Sequence, residues 1–87
     1  MRLKYQMAVQ EVAGTYMAVA TGDDARCYSN ILKLNVTGKA ILEMLRQETT
    51  EDAIVAELMN RYEGDETIIR SAVTEIINKF AKEGLIA

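Results

Sequence analysis

Side chains able to do chemistry are few and far apart in this chain. Histidine is absent and there is a single cysteine, Cys27. Without histidine the chain lacks the usual general base and the commonest metal ligand. One cysteine can build neither a Cys-His nucleophile nor a zinc site of several thiolates, and it cannot close an internal disulfide. Cys27, near the start of an apolar segment, reads as a small hydrophobe in a reducing compartment. Thr21-Gly22-Asp23-Asp24 is the stretch nearest to a metal loop, but a calcium site takes about six to eight oxygen ligands and needs more acids at fixed offsets. A polar loop is expected there. Glu43 and Glu57 stand among solvated polar residues on helices and read as a charged outer face, not as an acid-base pair. Asn35-Val36-Thr37 matches a glycosylation acceptor, which a cytoplasmic chain would never use. No catalytic residue, metal or cofactor is therefore expected, and the chain should act by binding.

Size and composition allow one small domain spanning residues 1–87. A chain of 9.7 kDa buries only about 60 to 65% of its unfolded surface, enough for a single core. An apolar fraction of 49% with 26% charged residues is that of a globular protein, and no apolar run is long enough to cross a membrane. Met1-Arg2-Leu3-Lys4-Tyr5-Gln6 carries no long apolar stretch, so no secretion signal is expected and the cytoplasm is the expected location. The net charge of −3 disfavours nucleic acid, whose binding needs clustered cations, whereas the ten basic residues here are scattered.

The elements that must position any binding surface are legible from hydrophobic periodicity. Tyr5 to Val12 alternates in part, Ala13-Gly14 suits a tight turn, and Thr15 to Ala20 is rich in Thr, Tyr and Val, so a hairpin is predicted. Thr21 to Arg26 is the polar loop, and Tyr28 to Leu34 the third strand. Order changes at Asn35. Before it Leu32 and Leu34 share one side of an extended segment, with Ile31 and Lys33 on the other. Beyond it Ile41, Leu42 and Leu45 recur at helical spacing, and Asn35 or Thr37 can cap the first turn of a helix from Val36 to Arg46. Thr50 caps a second helix with an apolar stripe of Ala53, Ile54, Leu58 and Met59, and Glu51 and Asp52 complement its positive end. That helix is predicted to close near Tyr62-Glu63-Gly64, with Gly64 in the left-handed conformation. Asp65 caps the third and longest helix, which ends at Gly84 and leaves Leu85-Ile86 to fold back on the core. The fold class is α+β: a three-stranded antiparallel sheet followed by three helices, winged helix-turn-helix-like.

Leu34-Asn35-x-Thr37-Gly38-x-x-Ile41-Leu42, Ala53-Ile54-Val55-Ala56-Glu57-Leu58, Arg61-Tyr62 and the ending Phe80-Ala81-Lys82-Glu83-Gly84-Leu85-Ile86 together resemble the PqqD-like family, the RiPP recognition elements. The order and spacing of these segments carry the resemblance, which covers nearly the whole chain. It implies three strands and three helices in a winged-helix arrangement. It also implies a non-catalytic adaptor that holds the leader of a ribosomally made precursor peptide for a modifying enzyme, such as a radical SAM protein. Val36-Thr37 stands where members dedicated to pyrroloquinoline quinone usually carry Pro-Ser. Tryptophan, frequent near their end, is absent. The pathway is thus left unspecified.

The third helix points to where a peptide would lie. Ile69, Val73, Ile76 and Phe80 share one face, widened by Ile68 and Ala72 on one flank and by Ile77 and Ala81 on the other. This arc is wider than the roughly 100° stripe of an ordinary surface helix. Either the small domain wraps the helix on two sides or pairs with a second copy, or part of the arc lines a peptide groove; the resemblance favours the groove. The expected site lies between the third strand and the third helix: Ile31, Leu32, Lys33 and Leu34 at the free strand edge, and Arg70, Val73, Thr74 and Ile77 on the helix. The alternative is a winged-helix DNA-binding regulator. It needs a basic face, whereas the second helix carries Glu51, Asp52 and Glu57 against Arg61, and the third mixes Arg70, Lys79 and Lys82 with Asp65, Glu66, Glu75 and Glu83. An exposed sheet edge also makes a homodimer credible.

Overall fold

The computed structural model describes residues 1–87. Two six-residue strands, β1 (Met7–Val12) and β2 (Thr15–Ala20), form the expected hairpin. Val12 pairs with Thr15, so Ala13 and Gly14 alone make the turn, at φ 52° and 82°. Two successive left-handed residues give a turn whose twist matches that of the strands. The short β3 (Leu32–Leu34) pairs antiparallel with β2, and the sheet order is β1-β2-β3. Three helices follow: α1 (Val36–Met44), α2 (Glu51–Arg61) and α3 (Glu66–Lys82).

Every helix begins on the residue its sequence offers as a cap. Asn35 Oδ1 accepts from the Gly38 N–H at 2.7 Å, Thr50 Oγ1 from Ala53 at 3.1 Å, and Asp65 Oδ1 from Thr67 at 2.7 Å. Gly84, at φ 75°, closes α3. Gly64 does not take the left-handed conformation expected of it: α2 ends instead where Tyr62 turns extended. α1 also stops short of Arg46, whose guanidinium reaches back to the Met7 carbonyl at 2.7 Å and ties the helix to β1.

Three local expectations are corrected around the sheet. β1 starts at Met7, not Tyr5, because the Gln6 N–H turns to the Asp24 carboxylate at 2.8 Å. The segment expected as a polar loop is a 3-10 helix over Gly22–Arg26, and the Asp24 carbonyl takes the N–H groups of both Cys27 and Tyr28. That bond holds Tyr28 out of the sheet, so β3 is three residues long and begins at Leu32. Cys27 is exposed at the end of the 3-10 helix and is not a core residue.

One side of the sheet carries the core. Met7, Ala18, Ala20, Leu32 and Leu34 are buried with Ile41, Leu42 and Leu45 of α1, Ile54, Val55 and Leu58 of α2, and Val73 and Phe80 of α3. Leu85 is buried in the same cluster, and Ile86 pairs with Leu3, so the two chain ends form a clasp. The other face of the sheet has no helix over it. Directly paired residues share a face, so Ala8, Gln10, Val12, Thr15, Met17, Val19 and Lys33 all point outward there.

Candidate functional site

β3 forms an open edge of the sheet. Leu32 and Leu34 anchor it in the core while Lys33 points to solvent. Ile31, just before the strand, is 63% exposed. Backbone bonds outside the ladders skip residues 29–34 altogether, so the donors and acceptors of β3 that face away from β2 meet no other segment. Such an edge is a template for one more strand.

α3 meets the chain just past the end of this edge. A cavity of about 350 Å³ opens where β3 runs into α1, lined by Asn35, Thr37, Ala72, Glu75, Ile76 and Lys79. Ala72 and Ile76, both half-buried, give it an apolar wall, and the exposed Glu75 and Lys79 supply one charge of each sign. Tyr28 ties the segment before β3 to the end of α3. Its buried ring stacks on Tyr5 with centroids 6.3 Å apart, and its hydroxyl donates to Glu83 Oε2 at 3.3 Å. Burial pushes the Tyr28 hydroxyl above its ordinary pKa, and the neighbouring Glu83 carboxylate pushes it the same way, so it stays a donor.

The opposite flank of α3 belongs to α2. Arg70 donates to Asp52 at 2.7 Å, and Thr74 donates to Glu51. Val73 is wholly buried, and Ile77 lies half-buried against the core. The structure thus brings Ile31, Leu32, Lys33 and Leu34 together at the open edge, but it turns Arg70, Thr74 and their neighbours toward α2 and away from that edge. The α3 residues that face the junction of β3 and α1 are instead Ala72, Glu75, Ile76 and Lys79. Glu51 and Asp52, the acids in the first turn of α2 that Thr74 and Arg70 meet, were the nearest sequence signal for this orientation.

The remaining polar groups have structural partners. Arg46 bonds Glu43 at 2.8 Å and holds its carboxyl below the usual carboxylate range, so Glu43 stays ionised, the reverse of what a general acid requires. Glu57 pairs with Arg61 at 3.1 Å. Arg61 and Arg70 are each matched to an acid, which leaves neither as an unpaired cation on the α2–α3 pair.

Comparison with known proteins agrees with this architecture. No curated protein matches the sequence. The fold is similar to that of a chain solved as TbiB1 in complex with the TbiA(beta) leader peptide: the TM-score is 0.73 over 98% of this chain and 93% of that one, at 13% identity. The family model for coenzyme PQQ synthesis protein D matches residues 16–86, from the start of β2 through the terminal clasp. The chain belongs to the PqqD family.

Proposed function

We propose that this chain is a non-catalytic adaptor that binds the leader of a ribosomally made precursor peptide as an added strand on β3 and presents it to a modifying enzyme, such as a radical SAM protein. The observation that carries the reading is the unpaired edge of β3 beside the apolar wall of Ala72 and Ile76. Backbone pairing along residues 31–34 supplies affinity without regard to sequence, and side chains on alternate positions of the peptide enter the cavity and supply selectivity. Family membership supports the reading, as does the leader peptide carried by the structural neighbour. The exposed Cys27 thiol suits a reducing compartment, in keeping with the cytoplasm. No helix is long and apolar enough to cross a membrane.

A labelled leader peptide, taken from any short precursor gene found next to this one, tests the proposal by fluorescence anisotropy. Saturable binding is expected, and a duplex DNA probe at the same low salt should stay free. A leader that does not bind, or DNA that binds tightly with a steep salt dependence, would overturn it. The same open edge can pair with a second copy. A homodimer built that way competes with the leader and should dissociate as leader is added.

A further inference from the structure

We infer that Lys33 selects the leader: the bound strand places an acidic side chain directly opposite Lys33 on the outward face of the sheet and apolar side chains on the inward face. The inference rests on the strand-addition reading above and specifies the peptide that site takes.

Lys33 occupies the middle of the open edge, exposed and outside every ion pair in the chain. Its register partner on β2 is Met17, whose own partner on β1 is Gln10. Ala8 with Val19 and Val12 with Thr15 complete that face, so Lys33 is its only charge. A strand added to β3 sets one residue directly across from Lys33 on this face, whichever way the peptide runs, because opposed residues share a side. That residue meets an unneutralised ammonium on a mostly apolar surface.

The inward side imposes no such sign. Glu75 and Lys79 balance each other at the cavity, and the wall between them is Ala72 and Ile76. Selection by charge therefore falls on Lys33, and selection by apolar fit on α3. The chain's net charge of −3 opposes an acidic peptide at long range. Salt screens that repulsion beyond about 8 Å, whereas cross-strand neighbours lie within about 5 Å of each other. The local pair wins.

The expected preference for Glu over Lys at the position opposite Lys33 is roughly tenfold in Kd, from a favourable pair on one side of the comparison and a like-charge pair on the other. A library of short random peptides displayed on phage, selected on the intact protein and on its Lys33→Glu and Lys33→Gln variants, reads this directly. Lys33 is exposed, so both variants should fold, which circular dichroism checks. Wild type should enrich peptides with an acid between two apolar residues. Lys33→Glu should enrich Lys or Arg at that place, and Lys33→Gln should lose the bias while still enriching the apolar residues. Binders without the acidic preference, or a preference that survives Lys33→Glu, would overturn the role of Lys33 and leave the groove standing. A library that yields no binder sensitive to Ala72→Asp would overturn the groove itself, and the inference with it.

Discussion

Asn35 joins two kinds of order in one side chain. It ends the extended run of β3, and its Oδ1 takes the free amide of Gly38 in the first turn of α1. Gly38 fits closely there: a Cβ would stand 3.2 Å from Asn35 Oδ1 and 3.3 Å from Leu34 Cδ2, and both side chains would have to give by a few tenths of an ångström. Asn35→Ala should cost about 1 kcal/mol, the loss of one cap. Leu34→Ala removes a core side chain and should cost about 2 to 5 kcal/mol. Urea unfolding should rank them in that order, and equal losses would place the strand-to-helix switch elsewhere. Tyr28 carries a pH dependence. Its folded pKa is raised, so its contribution to stability is complete below its unfolded value of about 10 and is lost as pH climbs through the higher folded value. The melting temperature should therefore fall on the alkaline side, and Tyr28→Phe, which has no proton to lose, should flatten that fall. An unchanged alkaline slope in the variant would mean that other groups set it.

At the scale of elements, the chain's plan could be read from its periodicity, but the way α3 turns could not. The strand-strand-strand-helix-helix-helix order and the caps Thr50 and Asp65 were plain, and the first cap was narrowed to Asn35 or Thr37, because alternation and capping residues are local signals. The length of β3 was not, because Tyr28 is apolar and buried yet has its N–H bonded to Asp24 four residues back, a contact invisible to alternation. The rotation of α3 was hidden for a related reason. Its apolar arc is broad enough to fit either flank against the sheet; in the fold Val73 and Phe80 are wholly buried, and Arg70 and Thr74 meet Asp52 and Glu51 across helices. Cys27 was misplaced because burial was inferred from its neighbours when the 3-10 helix lifts it into solvent. This orientation makes the two flanks separable by mutation. Ile76→Asp puts an unpaired charge on the wall of the cavity and should weaken leader binding by about tenfold or more. Thr74→Val removes the bond to Glu51 and should lower stability slightly while leaving binding unchanged. The reverse result in paired titrations would place the groove on the α2 side.

The whole molecule is one sheet with helices on a single side, 19 Å across its shortest dimension, and its ends are clasped through Leu3 and Ile86. That plan leaves the outward face of the sheet and the outer edges of both β1 and β3 without a further strand, and of the two edges only β3 runs into the cavity beside α3. A fourth strand would satisfy the edge and extend the face at once, and this is the central claim. Backbone amide shifts and hydrogen exchange, recorded on the intact protein with and without the leader, test it most directly. Saturation with the leader should protect amides within residues 31–34 and shift Ala72, Ile76 and Lys79, leaving Arg70 and Thr74 near their free positions. Shifts confined to α2, with the β3 edge exchanging as fast as in the free protein, would contradict it.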